Sequence, residues 1–268
     1  MTDELRIAMA VGAHPDDIEF MMAGTLLLLK DRGWELHYLN LCNGSCGTQT
    51  ETAESIVAAR RLEAQAACRL IGAVFHESLS PDIELFHTTD HISRLVAIIR
   101  RIRPTILLVP SPNDYMEDHM NASRLAVTAA FCRGMRNGPC QPPVPPIGGD
   151  VYLYHALPYG LRDGLRRLVR PGFYANVAPV LARKRAMLAC HVSQKAWLDA
   201  SQGRDAYLDD MERMAAEVGR RSGRFTHAEG WRRHSHLGFA VHDRDLLAEV
   251  LGPDGWTDLE YERSLEAG

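Results

Sequence analysis

Val11-Gly12-Ala13-His14-Pro15-Asp16-Asp17-Ile18-Glu19 follows directly on the apolar run Leu5 to Val11. An apolar run of that length reads as a buried strand, and the polar turn after it opens a helix expected over Glu19–Lys30. The turn carries one imidazole and two carboxylates. Two of the three can hold a divalent metal, and the remaining carboxylate can activate a water beside it. A glycine-rich turn here would have pointed to a dinucleotide. Asp16 and Asp17 instead stand where a pyrophosphate would need close backbone approach and no negative charge.

Working outward, strand-like and helix-like segments alternate. Glu35–Cys42 reads as a second strand, Ala53–Ile71 as a helix, Ala73–His76 as a short strand and Asp90–Ile102 as a helix. Thr105–Pro110 is a further strand, followed by a helix over Asn121–Cys132. Val151–His155 reads as a strand, with helices over Val180–Ala189 and Asp205–Arg220. Such alternation implies βαβ units and a parallel sheet, so the expected class is α/β, a mostly parallel sheet flanked by helices. Ligands in such sheets sit at the carboxyl ends of strands near a switch in strand order. The turns after the first strand and after Thr105–Pro110 are therefore the places to search.

Two ligands do not make a hydrolytic metal site, which has three protein ligands and an open position. His14 and Asp17 are three apart across a proline turn and can converge, with Asp16 beside the metal. The best third candidate is His119, at the end of Ser111-Pro112-Asn113-Asp114-Tyr115-Met116-Glu117-Asp118-His119. It lies just before the predicted helix at Asn121, on the same sheet edge as His14.

Composition removes several function classes. With 268 residues the chain is one large domain, or one with an appendage. Hydrophobic residues at 46% and charged residues at 24% are ordinary for a soluble globular protein. A formal charge of −4 offers no basic footprint for nucleic acid. No window supplies the ~20 apolar residues of a membrane span, and no signal-peptide core follows the acidic N-terminus. A cytoplasmic protein with scattered reduced thiols is expected from the six cysteines. Cys42 and Cys46 have no second pair at structural-zinc spacing. Gly134–Asp150, rich in Gly and Pro, reads as a long surface loop.

The pattern Ala-His-Pro-Asp-Asp-Ile-Glu, followed by Ala23-Gly24-Thr25-Leu26, resembles the LmbE-like or PIG-L family of zinc-dependent N-deacetylases. Weaker similarities are Asn43-Gly44 with Gly47, Arg60-x-x-Glu63-Ala64, Asp118-His119, Lys184 with His191-x-Ser193-Gln194, and Ala228-Glu229-Gly230. The resemblance implies a Rossmann-like fold over 1–268, with segment 191–268 contributing to the pocket or to an oligomer. It also implies hydrolysis of an N-acetyl amide on an N-acetylglucosamine-type sugar, and assembly as a trimer or hexamer. His14, Asp17 and His119 match the zinc ligands, Asp16 the general base, and Arg60 a residue shaping the substrate pocket. Iron or cobalt would suit the same His-Asp-His donors.

One departure stands out. Where the family commonly reads His-Pro-Asp-His, this chain has Met116-Glu117-Asp118-His119. Met116 cannot take the part of the first histidine of that motif, so the oxyanion donor or general acid is sought elsewhere, with Tyr115, His155 and His191 as candidates, while Asp118 is expected to orient a ligand histidine. His227, His234 and His236 around Glu229 read as a solvated basic loop, with Trp231 a candidate stacking surface for a sugar. Rival functions are an amidase acting on a thiol-conjugated amino sugar or natural-product amide, and a metal-dependent carbohydrate-binding protein without catalysis.

Overall fold

The computed structural model describes residues 6–195 and 206–266. The expected starts of the first strand at Leu5 and of the last helix at Asp205 lie outside the described residues.

The first strand, β1 (Ile7–Gly12), lies inside an eight-stranded sheet. The chain runs outward from it through β2 (Glu35–Asn40) to β3 (Val74–His76), then returns to its other side with β4 (Ile106–Val109) and β5 (Tyr152–Ala156). These five strands are parallel, with Ala10 opposite both Tyr38 and Leu108. The order reverses between β1 and β4, and the crevice at their carboxyl ends is the expected ligand position.

Both faces of β1 and β4 are covered, which is why these strands read as uninterrupted apolar runs. Side chains alternate between the two faces. Ala8, Ala10 and Leu108 join the core under α2 (Ala23–Asp31) and α3 (Ala53–Leu70). Met9, Val11 and Leu107 join the core under α4 (Thr89–Ile102) and α5 (Glu117–Cys132). Among the described residues no helix is long and apolar enough to cross a membrane.

The structure corrects three expectations. The helix expected over Glu19–Lys30 is broken at Met22 (φ −133°, ψ −22°) into α1 (Asp17–Met21) and α2. Glu229, from a distant strand, accepts from the backbone N–H groups of Gly24 and Thr25 and so starts the second helix afresh. Helix α5 begins at Glu117, not Asn121, and this puts Asp118 and His119 in its first turn. The expected basic loop around Glu229 is a strand, β7 (Ala228–Arg233). It pairs antiparallel with β5 and with β6 (Phe173–Asn176), and β8 (Gly255–Thr257) completes the sheet. Residues 134–150 contain no regular element. The buried Arg100 anchors this stretch by donating to the carbonyls of Met135 and Val144.

Candidate metal centre

The turn after β1 is held by its own side chain. Asp17 Oδ2 accepts from the backbone N–H groups of Ala13 (3.0 Å) and His14 (2.8 Å), which fixes one carboxylate inside the loop. Asp16 is left in the positive-φ region (φ 120°, ψ −23°), a conformation that costs an L-residue of order 1–3 kcal/mol. It occupies the N-cap position of α1, yet its carboxylate makes no cap hydrogen bond.

His14 and His119 converge on Asp17 from the two turns. His14 Nδ1 lies 3.6 Å from Asp17 Oδ2, and His119 Nε2 lies 3.4 Å from Asp17 Oδ1. The three residues offer ligand atoms within 4.8 Å of one another. Each imidazole is gripped from behind by a carboxylate at 3.0 Å, His14 Nε2 by Asp118 and His119 Nδ1 by Asp114. Such partners fix the ring tautomer and turn the inner lone pair to the common point. Asp118 also accepts from the backbone N–H of Ile83 (2.8 Å), so its own position is set.

Electrostatics favour a cation there. Burial alone would lower the pKa of His14, but its contacts with Asp118 and Asp17 push it well above the usual imidazole value. His119 behaves alike: burial opposes, Asp17 and Asp114 prevail, and the pKa rises to about 10. Burial would raise Asp17, but the two histidines hold it well below the usual carboxylate range. A cluster that draws protons so strongly without a metal suits a divalent ion in their place. The donor set of two imidazoles and one carboxylate fits one.

Asp16 stands beside this set without joining it. Tyr207 donates to its Oδ2 at 2.8 Å, and Arg60 Nη2 lies 3.5 Å from its Oδ1. Burial, its largest influence, raises its pKa; Arg60 opposes this and the Asp17 charge adds to it. Arg60 is itself buried and donates to the Pro15 carbonyl. Its guanidinium passes over the loop after β2, where a Cβ on Gly47 would stand 2.4 Å from Arg60 Nη1. A Cβ on Gly44, at φ 82°, would stand 2.6 Å from Arg60 Cδ, which explains the glycines of this loop. Arg60 thus braces the Asp16 turn.

A cavity of about 530 Å³ opens over the centre. His14, Asp16, Asp17, Arg60, Tyr115, Asp118 and His119 all line it. The Tyr115 ring meets His119 edge-on at 5.7 Å, and burial followed by the Asp17 and Asp114 charges keeps its phenol protonated. Met116, the N-cap of α5, contributes only a thioether to the wall.

Three candidates fall elsewhere. His191 is fully buried, 3.4 Å from Glu19, and does not line the cavity. The adjoining motif residues explain its setting: Ser193 donates to Glu63, and Gln194 to the Gly47 carbonyl. His155 points to the opposite face from its neighbour Ala156, which lines the cavity, and contacts Ser123 and His234. Trp231 is fully buried and donates to Thr25 Oγ1, so no ring face is open to a sugar. Conversely, Asp114, Tyr159 and Tyr207 belong to the site without having been singled out in the sequence. Asp114 lay inside the quoted loop, whereas Tyr207 had no local signal.

Residues 9–130 match the family model described as PIG-L: GlcNAc-PI de-N-acetylase. The chain is 27% identical over 198 residues to a diacetylchitobiose deacetylase of Thermococcus kodakarensis, covering 72% of this chain and 71% of that protein. It is 26% identical over 206 residues to a 4-oxalmesaconate hydratase of Pseudomonas putida, covering 73% and 76%. The N,N'-diacetylchitobiose deacetylase structure from Pyrococcus horikoshii superposes with a TM-score of 0.73 at 21% identity, over 90% of this chain and 88% of that one. The matched residues 9–130, which carry the similarity to the PIG-L (LmbE-like) family, hold the whole candidate metal centre.

Proposed function

We propose that the protein is a zinc-dependent N-deacetylase acting on an N-acetylated amino sugar of the N-acetylglucosamine type. The observation that carries this is the convergence of His14, Asp17 and His119 at one point, with the carboxylate of Asp16 beside them but outside the set. A zinc ion held by these three residues would polarise the amide carbonyl and make a water acidic enough to attack near neutral pH.

The remaining steps belong to the chain's own side chains. Asp16 takes the proton of the attacking water, and its raised pKa allows the carboxyl to hold that proton and deliver it to the leaving amine. Tyr115 takes the part for which Met116 is unsuited, donating its phenolic hydrogen to the oxygen that gains charge in the tetrahedral intermediate. Asp118 and Asp114 keep the two imidazoles aimed inward. Tyr159, Phe20 and Leu157 give the cavity an apolar side wall.

Relatives named as deacetylase and hydratase both activate water, so the decisive assay measures the product. Zinc-loaded protein should release acetate from N-acetylated sugars. Asp16→Ala should keep its metal and lose roughly 10²–10⁴-fold in turnover. Acetate release at the wild-type rate by that variant would overturn the mechanism. Tight sugar binding without acetate would favour a binding protein, and water addition to an unsaturated acid would align the chain with the hydratase.

A further inference from the structure

We propose that Tyr207 is a positioning residue for the general base, so that the catalytic site is completed from the C-terminal part of the chain. The proposal rests on the assignment of Asp16 as base. Tyr207 stands in the first turn of the helix Ala206–Ser222, 191 positions from Asp16, and donates its hydroxyl to Asp16 Oδ2 at 2.8 Å.

The contact decides which of two conformations the base adopts. An aspartate at a helix N-cap ordinarily turns its carboxylate onto the N–H groups of the first turn. Asp16 holds that position at α1 and makes no such bond. Its carboxylate is drawn instead towards the cavity by Tyr207 on one oxygen and Arg60 on the other. Without the Tyr207 hydroxyl, the helix N-terminus is free to recapture the side chain. Turnover would then require the base to leave its cap each time.

The donor is itself rigid. Tyr207 is 2% exposed and packs among Phe20, Leu188 and Met211, with the Phe20 ring edge-on at 5.0 Å. One helical turn on, Asp210 accepts from the hydroxyl of Tyr159 (3.0 Å), a wall residue of the same cavity. The helix therefore sets the base and the cavity wall through two residues three apart, which share a face.

Tyr207→Phe keeps the aromatic packing and removes only the donor. Measured on the zinc-loaded full chain, kcat should fall roughly ten-fold or more, with KM and metal content unchanged. The same substitution in an Asp16→Asn background should add no further loss to the residual turnover. A kcat within about two-fold of wild type would overturn the proposal. So would an equal loss in the Asp16→Asn background, because Tyr207 would then act through something else. Should Asp16→Asn alone retain full turnover, the base assignment fails, a result separate from the behaviour of Tyr207. If Tyr207→Phe does not fold, 3-fluorotyrosine at position 207 keeps the shape and alters the donor. An unchanged kcat there would equally overturn the proposal.

Discussion

The parallel and antiparallel halves of the sheet contribute differently to the same cavity. The parallel half supplies His14, Asp17 and His119 from two short turns, one after β1 and one after β4, each read within a few residues of sequence. The antiparallel half supplies no such ligand among the described residues, yet Glu229 of β7 starts α2, the second helix after the His14 turn. Its chain segment also brings Tyr207 to Asp16. One half carries the proposed chemistry and the other holds it in register. That division can be broken by experiment, because a supporting residue should change stability or turnover without changing metal affinity.

The largest expected effect comes from Glu229. Its carboxylate accepts from the N–H groups of Gly24 and Thr25, from Thr25 Oγ1 and from the Lys184 ammonium, and both members of the ion pair are buried. Glu229→Ala leaves Lys184 charged and unpaired in the core, which should cost about 3–5 kcal/mol of unfolding free energy. Denaturant unfolding should show the loss, while the folded fraction binds zinc as wild type does. A large loss of zinc affinity with unchanged stability would contradict the division between the halves.

The next effect belongs to the parallel half. Asp118→Asn removes the charge behind His14 while keeping the shape, so the ring should lose its fixed tautomer. Zinc affinity should fall about 10–100-fold, read by competition with a chelator, with little change in metal-free stability. An unaltered affinity would mean that the 3.0 Å contact to His14 does not orient a metal ligand.

How much of this the sequence disclosed follows the same division. Strands β1 and β4 are buried on both faces, so their apolar runs are continuous, and the polar turns after them stand out. Strand β7 was hidden because Ala228–Arg233 has charged residues at three of six positions, and burying Glu229 there depends on Lys184 and a helix start some 200 residues away. No local pattern encodes such a partner. Trp231 and His191 had credible motif surroundings, but exposure decides whether a side chain can meet a ligand, and both are fully buried. Met116 posed a question the sequence could frame but not resolve. Tyr115, proposed above for that part, stands two residues before α5 with its ring edge-on to His119, an arrangement that depends on where the helix starts.

The smallest effect tests the seam between the halves, where β5 meets β7. His155 Nε2 lies 3.0 Å from His234 Nδ1, and its Nδ1 lies 3.2 Å from both Ser123 Oγ and the Pro110 carbonyl. Burial, with the neighbouring His234 and Arg232 charges adding to it, lowers the His155 pKa to about 4. The unfolded chain binds this proton near pH ~6.5, so below that pH the unfolded state holds more protons than the folded one. Stability from His155 is therefore complete above about pH 6.5 and is lost as the pH falls towards 4. Between pH 7 and 5 the loss from this residue should be roughly 1–2 kcal/mol, measured by urea unfolding of metal-free protein. His155→Gln should remove that part of the slope, while His37 and His76, whose pKa values are also lowered, contribute equally to both proteins. If wild type and variant lost stability in parallel, His155 would not carry the titration, and the slope would belong to other groups, His234 with its own lowered pKa among them.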